Sequence, residues 1–259
     1  MDGSFIIGFH AELDLLRVQA AAVSKDKAAL GPQPAEPRPH PAAWSLPLIE
    51  ALREIVPPGL VIDPFGGTGR LALLGPRWRV LCGDLEPEWI GQAWRYGATG
   101  LRWDATRLPL ATGSVPAICT SPAYANRLAD DYAPEGGRRS DETRRSYRIY
   151  LGRALTAGSG AGLAWGPGYM AHHEQALAEF ARVLISGGLL VINMNDHNRG
   201  GLREPVCRWW AETMEATGFT VIERRRIVLA GDQNLARARA QGHPVVEHEE
   251  LLVGRAPTG

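Results

Sequence analysis

The residues that could do chemistry in this sequence stand where apolar runs stop. "GLVID" ends at Asp63 and runs into Phe65 and the glycines Gly66, Gly67 and Gly69. "WRVLCGD" ends at Asp84, and Asp104 follows in "LRWDATRLPL". Glycines in such a turn let backbone approach a ligand closely. A carboxylate at Asp84 can accept two hydrogen bonds from a ribose diol, and Asp104 can accept from an adenine amino group. Together these residues point to a nucleoside-bearing cofactor. Gly67 to Ala72 also fits the loose dinucleotide fingerprint, but Gly75-Pro76 cuts the following helix short. Another run, "VPAICT", stops at Ser121-Pro122-Ala123-Tyr124, a hydroxyl, a rigid turn and an aromatic ring with no role in hydride transfer.

The elements that must hold these residues alternate. Apolar runs at "GLVIDPF", "WRVLCGDLE", "VPAICTSPAY" and "GGLLVINMND" are separated by helix-like spacing at 70–75, 87–96 and 171–184, the last closed by Ser186-Gly187-Gly188. A helix is expected at 203–217, then "FTVIERRRIVLA" and "VVEHEELLVGRA". Continuous apolar strands between helices predict an α/β fold whose mostly parallel sheet is covered on both faces. The last two strands have no helix between them, so one is expected to run antiparallel at the end of the sheet, near the C-terminus. Ahead of this body, residues 1–39 read as a helix (5–30) and a proline-rich linker, "GPQPAEPRPHP", which can be neither helix nor central strand. Helical spacing resumes at 42–56. The segment 125–165 carries seven arginines against five acids and little apolar content before "GLAWGPGY"; it reads as a long insertion, of the kind that is functional or disordered.

Composition narrows the classes. The 259 residues carry 28 basic and 28 acidic side chains, which argues against a protein that coats nucleic acid through bulk charge. The three cysteines are far apart, and Cys82 and Cys119 sit in apolar runs, as buried thiols of a reducing compartment do. Cysteine and histidine spacing offers no zinc set, so no metal is expected. The start has an early acid and no long apolar core, and no stretch approaches the roughly 20 apolar residues of a membrane span. A cytoplasmic protein is expected.

"DPFGGTG", the acid after the second run, "WDATRLPL" and "TSPAY", in that order, resemble class I S-adenosylmethionine-dependent methyltransferases, and more narrowly the DNA amino-methyltransferases of cytosine N4 and adenine N6. The resemblance covers roughly residues 40–200. It implies a Rossmann-like class I methyltransferase domain over 40–259, S-adenosylmethionine as cofactor, and a cofactor site made by Asp63, Phe65, Gly67, Gly69, Asp84 and Asp104. It implies that Ser121 and the Pro122 carbonyl hold the N–H groups of an exocyclic amine while Tyr124 stacks on the base. The family commonly has a second proline where this chain has Ala123; serine at the first position leans towards cytosine N4. Asn126 and Arg127 are candidates for contact with the flipped nucleotide, Trp165 and Tyr169 for base stacking, and Asn195 and His197 for the base pocket. Trp209-Trp210 fit core packing better. DNA is the expected partner, RNA the alternative, and a non-catalytic module with the same fold the third reading.

Overall fold

The computed structural model describes residues 40, 44–125, 128–129, 146–199, 202–228, 245–246 and 248–258. The expected N-terminal helix and nearly all of the proline-rich segment lie outside these residues.

Seven strands form the central sheet: β1 (Gly59–Asp63), β2 (Trp78–Asp84), β3 (Thr99–Arg102), β4 (Val115–Thr120), β5 (Leu184–Met194), β8 (Thr220–Val228) and β9 (His248–Arg255). Their order is β3-β2-β1-β4-β5-β9-β8. The first five are parallel, and β9 runs antiparallel to both neighbours. The antiparallel strand is therefore second from the edge rather than at the end. The helix α5 (Val206–Ala216) carries the chain from β5 out to β8, and the return strand fills the gap left between them.

The chain runs outward from β1 in one direction through β2 and β3, and in the other through β4 and β5. The switch lies between β1 and β4, which pair through Ile62 and Ile118. In open α/β sheets, ligands bind outside the carboxyl ends of the strands at such a switch. Helix α1 (Leu46–Ile55) buries Leu48, Ile49 and Leu52 in one core with Val61, Val80, Cys119, Val191 and Val253. The alternate residues Ile62, Ile118, Leu190 and Leu252 are buried as well. That double burial explains why the parallel strands read as unbroken apolar runs. At Gly254 an added Cβ would lie 2.6 Å from Met214 Cε, so α5 approaches β9 where no side chain intervenes.

Several local expectations differ from the structure. The segment 70–75 is a five-residue 3₁₀ turn, Arg70–Leu74, and 87–96 divides into α2 (Pro87–Ile90) and a second 3₁₀ turn. Helix α4 (Pro167–Val183) starts at a proline, before 171. Ser186-Gly187-Gly188 is not its cap but part of β5. Strand β3 was not expected: it has four residues, alternates in burial and lies at a sheet edge, so it shows no apolar run. A small antiparallel pair, β6 (His197–Arg199) with β7 (Leu202–Glu204), also follows β5. Five residues of the insertion, Tyr147–Leu151, form α3.

Trp103 lies directly over Gly83 and donates from Nε1 to the Pro64 carbonyl at 3.2 Å. A Cβ on Gly83 would come within 1.4 Å of that ring nitrogen. Gly83→Ala should push the indole off β2 and destabilise the domain by about 1–3 kcal/mol, as overpacking does. Urea unfolding measures this; a wild-type midpoint would mean the ring has room to move.

Candidate active site

Asp63, at the tip of β1, is fully buried. Thr120 Oγ1, at the tip of β4, donates to its Oδ1 at 2.6 Å. Trp44 Nε1 donates to Oδ2 at 3.3 Å. The Phe65 amide lies 3.3 Å from Asp63 Oδ1 and 3.2 Å from Thr120 Oγ1. Burial pushes the Asp63 carboxyl up to about 6, against these three donors. Asp63 thus acts from behind the loop, as does Gly69, whose φ of 77° and whose close approach to Ala93 leave no place for a side chain.

Ahead of this carboxylate lies a cavity of about 420 Å³. Phe65, Gly67, Asp84 and Asp104 line it. Asp84 Oδ2 accepts from the Gly67 amide at 3.1 Å and Oδ1 from the Glu86 amide at 2.8 Å, so the glycine loop and the start of α2 orient one carboxylate. Burial, the largest influence, raises that carboxyl to about 7. Asp104 Oδ1 accepts from the amide and hydroxyl of Thr106, both at 2.8 Å. The Gly66 amide donates to the Gly83 carbonyl at 2.7 Å, and a Cβ there would lie 2.7 Å from Cys82 Cβ. His40, Trp89 and Tyr147 make an aromatic wall, with His40 and Trp89 edge to face at 4.4 Å.

The β4 tip opens onto the same cavity through Ser121, Ala123 and Tyr124. Tyr124 Oη accepts from Asn193 Nδ2 at 2.6 Å and lies 3.3 Å from Ser121 Oγ. Asn193 Nδ2 is also 2.8 Å from Glu249 Oε2. Tyr169 is fully buried: its hydroxyl donates to the Ala123 carbonyl at 2.9 Å and accepts from Trp210 Nε1 at 3.0 Å. It therefore braces the turn from behind and does not face the cavity. Pro122 is buried. Just after the turn, Ala125 has φ 55°, the one positive φ outside glycine among the described residues, and its carbonyl accepts from the Trp165 amide at 3.1 Å.

Trp165 packs on Tyr169 and Trp209, with ring centroids at 5.4 and 5.7 Å. Like His197 on β6, it is outside the cavity lining, whereas Asn195 is within it. Asn126 and Arg127 lie outside the described residues. Trp210 is a core residue, as expected. Arg153, one of the insertion arginines, binds Glu86 at 2.7 Å and Glu88 at 2.5 Å. Thr156 also donates to Glu86, from its amide at 2.7 Å. These bonds hold the stretch before Ser159, Gly160 and Ala161, which line the cavity.

Sequence reasoning passed over His172, His173 and Glu249, all on the cavity wall. His173 Nδ1 donates to the Tyr169 carbonyl at 2.8 Å, which leaves Nε2 a buried acceptor with no partner among the described residues. Burial lowers this histidine to about 3, so it is neutral. A signal for Glu249 did exist: an antiparallel strand begins where parallel ones end, so an acid at the start of "HEELLVGR" falls on the functional edge.

No protein-family model matches the chain, and no curated protein matches it. Solved structures do match. One is a chain assigned as a methyltransferase in complex with the Haloferax volcanii Trm112 methyltransferase activator, with 17% identity and a TM-score of 0.50 over 80% of this chain and 88% of that one. Another is the cyclase SpnF, with 14% identity and a TM-score of 0.50 over 82% and 81%. The chain has the Rossmann-like class I methyltransferase fold. In this fold the cavity occupies the switch between β1 and β4, between the glycine loop and the β4 tip. Among the described residues, no helix is long and apolar enough to cross a membrane.

The raised Asp63 carboxyl has a consequence for stability. A folded state that binds this proton more tightly gains most below about pH 4 and loses that gain as pH rises through 6. Asp63→Asn removes the titration. The unfolding free energy of wild type minus that of the variant should therefore fall by on the order of 3 kcal/mol between about pH 3 and 7. Urea unfolding across that range measures it, and a flat difference would mean Asp63 titrates as an ordinary carboxyl.

Proposed function

We propose that this protein transfers a methyl group from S-adenosylmethionine to the exocyclic amino group of a DNA base, with cytosine N4 preferred over adenine N6. The observation that carries this reading is that Ser121 and Tyr124 share one cavity with Gly67, Asp84 and Asp104. A nucleoside-recognising edge and an amine clamp thus face the same space.

The residues present suit the cofactor. Asp84, fixed by two backbone amides, has the lone pairs to accept a ribose diol. Asp104 is placed to receive an adenine amino group, and Leu85, Trp103 and Ala105 add apolar surface to the lining. The glycine loop admits a ligand against its backbone. When bound, S-adenosylmethionine supplies an electrophilic methyl group on a sulfonium centre.

The chain's own residues then act by positioning. An amine conjugated to an aromatic ring is a poor nucleophile, because its lone pair is delocalised. Acceptors at Ser121 Oγ and the Pro122 carbonyl would hold its two N–H groups and favour a pyramidal nitrogen. Tyr124 offers a ring face to the base, with its hydroxyl tethered by Asn193. The turn lacks the family's second proline, but the Tyr169 bond to the Ala123 carbonyl supplies stiffness from outside the tetrapeptide.

The test is nucleoside mass spectrometry of DNA and RNA from cells expressing wild type or Ser121→Ala. New N4-methylcytosine or N6-methyladenine in DNA with wild type, absent with the variant, is the expected result. A mark in RNA alone would reassign the substrate, and no mark in either would refute the reading. Independently, Asp84→Ala should weaken S-adenosylmethionine binding by roughly tenfold or more in calorimetry, given about 1.5–3 kcal/mol for each bond to a charged acceptor.

A further inference from the structure

Four polar side chains from three strands meet on the cavity wall. Ser121 and Tyr124 come from the β4 tip, Asn193 from β5 and Glu249 from β9. The sheet register explains the meeting. Thr120 is level with Ile192, which sets Ser121 beside Asn193, and Asn193 is level with Leu251, two residues beyond Glu249. Asn193, almost fully buried, donates to Glu249 Oε2 and to Tyr124 Oη. Tyr124 Oη is also 3.5 Å from Glu249 Oε2. One carboxylate oxygen is thereby engaged, while Oε1 accepts no hydrogen bond from any described residue.

Within this cluster only Glu249 offers a basic side chain. The serine hydroxyl and the asparagine amide are not bases. Burial holds the Tyr124 phenol well above its ordinary range, so it stays protonated. Glu250, the next residue, is turned to Arg224 on β8 and pairs with it. Glu249 pairs with no such cation among the described residues, and burial raises its carboxyl above the usual range, which makes it a better proton acceptor.

We propose that Glu249 Oε1 shares with Ser121 Oγ one N–H of the target amine and takes that proton as the methyl group arrives on the nitrogen. This rests on the methyl-transfer reading above. The step balances within the site: an N–H bond breaks, its electron pair stays on nitrogen as the lone pair of the neutral secondary amine, and the proton forms an O–H bond on Glu249. That proton leaves to water when product departs.

The test compares wild type, Glu249→Gln and Glu249→Asp in single-turnover methyl transfer to DNA with labelled S-adenosylmethionine, alongside calorimetric affinity for the cofactor. Gln keeps the shape and an acceptor for Asn193 but cannot take the proton. Its turnover should fall by about 100-fold or more, the range of a lost general base, with cofactor affinity within about twofold of wild type. Asp keeps the carboxylate on a shorter arm and should recover at least a tenth of the rate at unchanged cofactor affinity. Wild-type turnover in Glu249→Gln would overturn the role of Glu249 and leave the proposed function standing. Loss of cofactor affinity in step with rate in both variants would also overturn it, in favour of a structural role. Absence of transfer to nucleic acid by wild type would overturn both readings together.

Discussion

The buried Asp63 carboxylate is the constraint on which the site depends. A charge removed from water costs several kcal/mol unless it is paired or fully hydrogen-bonded. Here three donors meet it: the Trp44 indole ahead of α1, the Thr120 hydroxyl on β4 and the Phe65 amide at the start of the glycine loop. Each belongs to a different part of the site. Thr120 immediately precedes Ser121, so the bond that satisfies Asp63 also sets the β4 tip against the β1 tip. The glycine loop and the Ser121–Tyr124 turn are held in mutual register by one group that does not itself line the cavity.

Around that group, rigidity comes from side-chain bonds that tie one segment of the chain to another. Trp103 over Gly83 ties the segment after β3 to the Pro64 carbonyl. Tyr169 performs the matching task on the other side, where its hydroxyl holds the Ala123 carbonyl and Trp210 holds its hydroxyl. Both rings carry a polar atom that must be paired when buried, so each fixes direction as well as packing. The Arg153 bonds to Glu86 and Glu88 extend the pattern to the cavity's outer wall, since the Glu86 amide also orients Asp84.

Burial explains the pattern of agreement between sequence and structure. Asp84, Gly67, Ser121 and Tyr124 could be picked out because each follows an apolar run, and a parallel strand buried on both faces writes that run plainly. Strand β3 wrote none, being short and at an edge. Tyr169 and Trp165 carried the composition of stacking residues, and nothing local distinguished a ring turned to the core from one turned to a ligand. The helix cap expected at Ser186-Gly187-Gly188 failed for a similar reason: a glycine at φ 67° serves a bend in β5 as readily as a helix end.

The sequence by itself determined the alternation of strands and helices, the acids and glycines at the strand ends, and hence the edge of the sheet where a ligand belongs. These are properties of local hydrophobicity and backbone freedom, written within a few residues. Only the tertiary structure decided that Asp63 acts from behind the loop, that Tyr169 braces the Ser121–Tyr124 turn, and that Glu249 joins Ser121, Tyr124 and Asn193. The Glu249 contacts join residues up to 125 positions apart. They depend on the register between strands and on the reversed direction of β9, which no window of sequence contains.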